Sequence, residues 1–199
     1  DPPRAERGEQ GLVSLETIAQ EADVITLHTP LVREGKYSTF HLADEKFFAS
    51  LQRRPYFINT SRGETTDTYA LLRALEKGQI AQCCIDVWEH EPHIDLELLN
   101  RCDIGTPHIA GYSADGKANA TRMSLEALSC HFGLNGVFEV LPPQPPQKVI
   151  HAASRAEALL SIYNPHIDSH ALKTCPSHFE ILRGDYPLRP EEQAYESRS

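Results

Sequence analysis

"ADVITLHTP", residues 22–30, is a β-branched apolar run that stops at a proline. Its length and composition predict a buried strand with His28-Thr29 as its polar tip. "PYFINTSRG" (55–63) and "AQCCIDVWE" (81–89) repeat the pattern, and "IGTPHIAG" (104–111) is a shorter fourth run. Helical patterns lie between them: Leu15, Ile18 and Ala19 after Ser14, then Phe47, Phe48 and Leu51 after Asp44, then Leu71, Leu72 and Leu75 after Asp67, closed by Gly78. Alternating strands and helices predict an α/β fold with a parallel sheet and right-handed crossovers. Such sheets bind ligands at the carboxyl ends of their strands. Those ends carry the unusual residues here: His28-Thr29, Ser61-Arg62-Gly63, Asp86 to Pro92, and His108 to Tyr112.

The composition narrows the function classes. With 199 residues, 40% hydrophobic and 24% charged, the chain can bury the core of one or two domains. Net charge is −9 and no basic run is longer than Arg53-Arg54, which argues against a nucleic-acid partner and for small molecules. No apolar run approaches the roughly 18 residues of a membrane span, so no membrane partner is expected. The five cysteines are odd in number and lack C-x-x-C spacing, as expected of reduced thiols in a cytoplasmic protein. His90-x-x-His93 and His166-x-x-x-His170 could bind metal by spacing, but no third ligand is evident and no metal is expected.

Beyond the strands the organisation changes. An amphipathic helix is expected from Ser113 to about Phe132, and "LPPQPPQ" (141–147), with four prolines, reads as an extended linker. "SRAEALLSIYN" and "ALKTCPSHFEILRGDY" suggest two short helices in a module of about 50 residues. Such a module is expected to complete its core against another subunit or the parent domain, and the acidic last ten residues to be loose. The expected division is 1–112, a connecting helical segment 113–135, and a small domain 136–199.

"TPHIAGYS" (106–113) supplies the chemical signal. Pro107 restricts the backbone before His108, and Gly111 lets the main chain come close to a ligand, so the histidine is held. Together with "VITLHTPL", "INTSRGETTD" and "IDVWEHEP", in that order, it resembles the D-isomer-specific 2-hydroxyacid dehydrogenases, strongly over residues 1–135 and more loosely over 136–199. The resemblance implies an incomplete Rossmann-type parallel sheet, an NAD-binding domain lacking its first strand and Gly-rich turn, followed by a small α+β dimerisation domain. The chain has no G-x-G-x-x-G turn and opens with "DPPRA", so Asp1 is expected to match the acidic residue at the tip of the second strand of that fold. A C-terminal fragment, inactive alone, is the expectation.

The resemblance also implies the activity and its residues: NAD-dependent oxidation, at C2, of a phosphorylated four-carbon 2-hydroxy acid on the route to pyridoxal 5′-phosphate, by a homodimer joined through the C-terminal domain. Oxidising a 2-hydroxy acid needs a base for the hydroxyl proton and a cation for the carboxylate. His108 is expected to be the acid/base, Glu91 its carboxylate partner, with Glu89 a nearby competitor, and Arg62 the bidentate grip on the substrate. Asp1, Thr29, Thr60, Ser61, Asp86 and Gly111 are expected on the cofactor side and Tyr112 at the substrate. Lys117 reads as a solvated lysine. Glu64-Thr65-Thr66 departs from the two apolar residues many relatives carry after Arg62-Gly63. Oxidation of glycerate or phosphoglycerate, an NAD-sensing scaffold without catalysis, and a pure assembly module are the alternatives.

Overall fold

The structure, a computed structural model, describes residues 1–134, 136 and 138–198. The chain divides into two compact units, one of Asp1–His108 with Asp168–Arg183 and the other of Ile109–Ile167 with Gly184–Ser199.

The first unit is built on four parallel strands, β1 (Val24–Leu27), β2 (Tyr56–Asn59), β3 (Gln82–Ile85) and β4 (Ile104–Gly105), in the spatial order β1-β2-β3-β4. Val24 stands beside Tyr56, Tyr56 beside Gln82, and Cys84 beside Ile104. Each strand is shorter than its apolar run, because the polar tips leave the ladder and form the loops at its carboxyl end. Helices α1 (Pro2–Glu6), α2 (Leu15–Glu21), α3 (Glu45–Ser50), α4 (Thr68–Glu76) and α5 (Leu96–Arg101) start at side chains that accept an amide hydrogen bond: Asp1, Ser14, Asp44, Asp67 and Asp95. Such a cap is worth about 1 kcal/mol. The opening "DPPRA" is therefore a helix start, with Asp1 as its cap and prolines in its first turn, where a missing N–H costs nothing.

Alternate strand residues Ile25, Leu27, Phe57, Cys83 and Ile85 are buried, and Phe47, Phe48 and Leu71 cover them from α3 and α4. Phe48 meets Phe57 edge-on at 5.3 Å between ring centres. Leu172 and Phe179, both almost fully buried, complete the same core. Later in the chain come α6 (Ala114–Phe132), β5 (Val149–His151), α7 (Arg155–Ile162), α8 (Pro165–Thr174), α9 (Phe179–Gly184) and β6 (Glu196–Arg198). Within the first unit, the Gly105 amide donates to Ser169 Oγ of α8 at 3.0 Å, and Lys173 Nζ donates to the Cys102 carbonyl at 2.6 Å. Residues 168–183 thus belong with the parallel sheet. Periodicity shows that a helix has an apolar side; it does not show what that side covers.

In the second unit α6 begins at the Ser113 cap and ends at Gly133, whose φ of 63° suits glycine. Asn135, the last residue expected of the connecting segment, lies outside the described residues. The proline-rich stretch has no regular structure. The C-terminal tail is not loose, since β6 pairs in parallel with β5 and the Glu196 amide donates to the Lys148 carbonyl at 2.7 Å. Backbone pairing of this kind carries no hydrophobic signature.

Candidate active site

At the carboxyl end of β2, Asn59 is buried and knots the following turn. Its Oδ1 accepts from the Ser61 amide and hydroxyl, each at 3.0 Å, and its Nδ2 donates to the Arg62 carbonyl at 3.1 Å. Ser61 is buried as a result, Thr60 is half-buried, and Arg62 is exposed at the rim. Gly63 lets this turn abut the neighbouring loop: a Cβ there would lie 2.0 Å from the Trp88 carbonyl oxygen.

β3 leads into the sequence Asp86-Val87-Trp88-Glu89-His90-Glu91. Asp86 is 4% exposed, and its Oδ1 accepts from Thr106 Oγ1 at 2.6 Å while its carbonyl accepts from the His108 amide at 2.8 Å. Trp88 Nε1 donates to the Thr106 carbonyl at 2.9 Å. The ends of β3 and β4 are thereby locked side by side.

Glu91 Oε1 accepts from the Trp88 amide at 2.8 Å, and Glu91 Oε2 lies 2.8 Å from His108 Nδ1. The two side chains are 17% and 22% exposed. An ionised carboxylate only accepts, so Nδ1 carries the hydrogen and Nε2 is the nitrogen left for proton exchange. His108 itself has φ 55°, in the left-handed region that residues other than glycine rarely enter, and such positions cluster at active sites. Glu89, two residues before Glu91, meets a different histidine: its Oε1 lies 2.8 Å from His41 Nε2, and its Oε2 accepts from the Thr68 amide at 2.9 Å. Burial pushes the Glu89 carboxyl up, but the hydrogen bonds from His41 and Thr68 outweigh it and hold the group below its ordinary value.

The strand ends fit a polar, extended cofactor such as NAD. At the end of β1 the Thr29 hydroxyl is buried with no hydrogen-bond partner among the described residues, and such an atom calls for a ligand group. Ser61 and the Asp86 carboxylate stand at the ends of the next two strands. Asp1 is exposed, and its Oδ1 accepts from the Arg4 amide at 3.1 Å. In the second unit Gly111 has φ 80°, and Tyr112 lies under Lys117 Nζ at 4.7 Å from the ring centre. Lys117 remains exposed, as expected of a solvated lysine, with its ammonium set over that ring.

The structure thus brings Glu91 and His108 into contact, sets Asp86 beside them, and leaves Arg62 on the neighbouring strand end. Sequence reasoning missed Asn59, Thr106 and His41. The first two lie inside quoted motifs and are buried polar residues at strand ends, a signal that was available; His41 acts across 48 residues of separation and had none. All five cysteines are free thiols, and burial pushes Cys83 and Cys102 up, the latter to about 11, so neither suits nucleophilic work. Among the described residues no cluster of three His, Cys, Asp or Glu could hold a metal, and no helix is long and apolar enough to cross a membrane.

Residues 2–110 match the family described as D-isomer specific 2-hydroxyacid dehydrogenase, NAD binding domain. The erythronate-4-phosphate dehydrogenase of Bacteroides thetaiotaomicron is 59% identical over 196 residues, covering 98% of this chain and 56% of that protein. The chain therefore spans about half the length of the curated relatives it matches. Among solved structures, D-mandelate dehydrogenase of Rhodotorula graminis superposes with a TM-score of 0.54 at 27% identity, over 67% of this chain and 39% of that one. D-lactate dehydrogenase of Aquifex aeolicus, complexed with NAD and lactic acid, gives 0.51 at 28% identity, over 66% and 45%. Parallel strand order, the polar strand ends and the matched motifs converge on one conclusion: the chain belongs to the D-isomer specific 2-hydroxyacid dehydrogenases, through their NAD binding domain.

Proposed function

We propose that this chain is part of an NAD-dependent erythronate-4-phosphate dehydrogenase, which oxidises the C2 hydroxyl of 4-phospho-D-erythronate to a ketone, a step towards pyridoxal 5′-phosphate. The observation that carries the reading is the 2.8 Å contact between His108 Nδ1 and Glu91 Oε2, with Nε2 left for the substrate. The substrate is taken from the name of the relative that is 59% identical.

NAD, when bound, supplies the acceptor for the hydride that leaves C2. His108 Nε2 takes the hydroxyl proton as the C2–H bond breaks, and Glu91 holds the ring and balances the imidazolium that forms. Arg62 grips the substrate carboxylate through two parallel hydrogen bonds, and Tyr112 contacts the substrate. Asp86 faces the nicotinamide amide, Asp1 the ribose hydroxyls, and Thr29, Thr60, Ser61 and Gly111 the rest of the cofactor. An acidic group at the ribose repels a 2′-phosphate, so NAD is preferred to NADP. The active form is a cytoplasmic homodimer joined through the C-terminal residues 136–199, where Leu141, Leu160, Ile167 and Leu188 each expose half or more of their surface.

In the full-length enzyme His108→Ala is expected to lower turnover about 10²–10⁴-fold while NAD affinity stays within about twofold, because the imidazole acts on the proton and not on the cofactor. Wild-type turnover in that variant removes His108 from the chemistry. Comparing kcat/KM for 4-phospho-D-erythronate, D-glycerate and 3-phospho-D-glycerate tests the substrate, and a preference for either glycerate overturns it.

A further inference from the structure

We propose that His41 is a positioning residue for this site: through Glu89 it holds the turn that seats Glu91 against His108. The inference rests on the proposed role of the Glu91–His108 pair and adds to it a second imidazole–carboxylate pair sharing the same short loop.

Glu89 and Glu91 flank His90, whose φ of 62° turns the chain between them. Their carboxylates then serve histidines from opposite directions along the sequence, His41 and His108. Glu89 is 13% exposed and has both oxygens engaged, one by His41 Nε2 and one by the Thr68 amide at the first residue of α4. It therefore ties three segments together: the loop around residue 41, the start of α4, and the loop after β3. Glu91 depends on that tie because its Oε1 accepts from the amide of Trp88, the residue immediately before Glu89. A shift of Glu89 moves the seat of Glu91.

His41 is itself held at its backbone and at its ring. Its φ is 50°, its amide donates to the Glu64 carbonyl at 2.8 Å, and its ring stacks on Phe40 with centroids 4.1 Å apart. The charged groups facing the ring are Glu89 and Asp67, the latter with Oδ2 at 3.8 Å from Nδ1; behind Phe40 lies Arg33, paired with Glu64.

In the full-length enzyme, His41→Ala is expected to lower kcat about tenfold with KM nearly unchanged, since a sub-ångström misplacement of the base costs rate rather than binding. His41→Gln, whose amide can still donate to Glu89, is expected to recover most of the loss. Adding His41→Ala to Glu91→Gln should cost less than about twofold more, because both act on one interaction. The nitrogen-15 resonance of His108 Nδ1, read without substrate, should move in His41→Ala towards that of a ring without a carboxylate partner. Thr68→Pro is the second variant. Proline suits the first residue of a helix, so the fold tolerates it while Glu89 loses both the amide and the hydroxyl of Thr68, and the same resonance should move. Unchanged kcat in His41→Ala, equal loss in the alanine and glutamine variants, full additivity with Glu91→Gln, or a His108 resonance unmoved in Thr68→Pro each overturns the proposal. Should His108→Ala retain turnover, the catalytic reading fails, while the resonance still reports whether His41 positions His108.

Discussion

Glu89 and Glu91 are the same residue type two positions apart, and residue type alone does not assign one to His108. Geometry does: Glu91 reaches His108 Nδ1 and Glu89 reaches His41 Nε2, each at 2.8 Å. Replacing a carboxylate by an amide keeps the shape but offers one acceptor where two are used. Glu91→Gln is therefore expected to lower kcat by about 10²–10⁴-fold, by releasing the ring or favouring the wrong tautomer. Glu89→Gln should cost far less, about tenfold or under, because it acts at one remove. Steady-state kinetics of the two variants decide the assignment, and a reversed order reassigns the partner of His108. Arg62 is exposed, with Nη1 donating to the Ser61 carbonyl at 2.5 Å, and Arg62→Lys, which loses the planar fork, is expected to raise KM and lower kcat together. Unchanged kinetics would leave Arg62 a purely structural part of the turn.

The elements matter through their ends. The turn after β2 and the loop after β3 touch at Gly63, where a Cβ would meet backbone atoms at 2.0 Å and 2.1 Å. Backbone cannot yield as a flexible side chain can, so Gly63→Ala is expected to push Arg62 away from the Glu91 loop. Loss of about 2 kcal/mol or more of stability together with loss of activity is the expected result, and thermal melts with parallel rate measurements check it. The start of α4 offers a pH-dependent test. Glu89 is held below its ordinary value of 4.5: burial raises it, and the hydrogen bonds from His41 and Thr68 more than offset that. The folded state then binds the proton less readily than the unfolded state. The resulting stabilisation is complete above pH 4.5 and fades as pH falls through the depressed folded value. Glu89→Gln should lower stability near neutrality and flatten its fall in acid, which urea titrations over a pH series measure. An acid limb identical to wild type would show that Glu89 carries none of it.

Over the whole molecule, the parallel sheet draws part of its core from residues far along the chain. Leu172 is fully buried and Phe179 nearly so, both within the sheet's own unit. Leu172→Ala is expected to cost about 2–5 kcal/mol and Phe179→Ala about 3–5, read from the denaturant midpoint of the sheet unit. If both leave that midpoint unchanged, residues 168–183 are not part of its core. The link has a functional side, since Ser169 bonds Gly105, three residues before His108. Ser169 of α8 therefore braces the strand that delivers the histidine.

Period and punctuation in the sequence by themselves determined the alternation of strands and helices, the parallel sheet, the helix caps at Ser14, Asp44 and Asp67, and the strand ends on which the site stands. These are local properties: side-chain alternation, capping oxygens and breaker residues act within a few positions. Tertiary structure alone decided that Glu89 meets His41, that residues 168–183 pack on the sheet, and that the tail forms a strand. Each of those depends on contact between segments tens of residues apart, or on backbone pairing that leaves no hydrophobic pattern, and a local pattern carries no information about which surfaces meet.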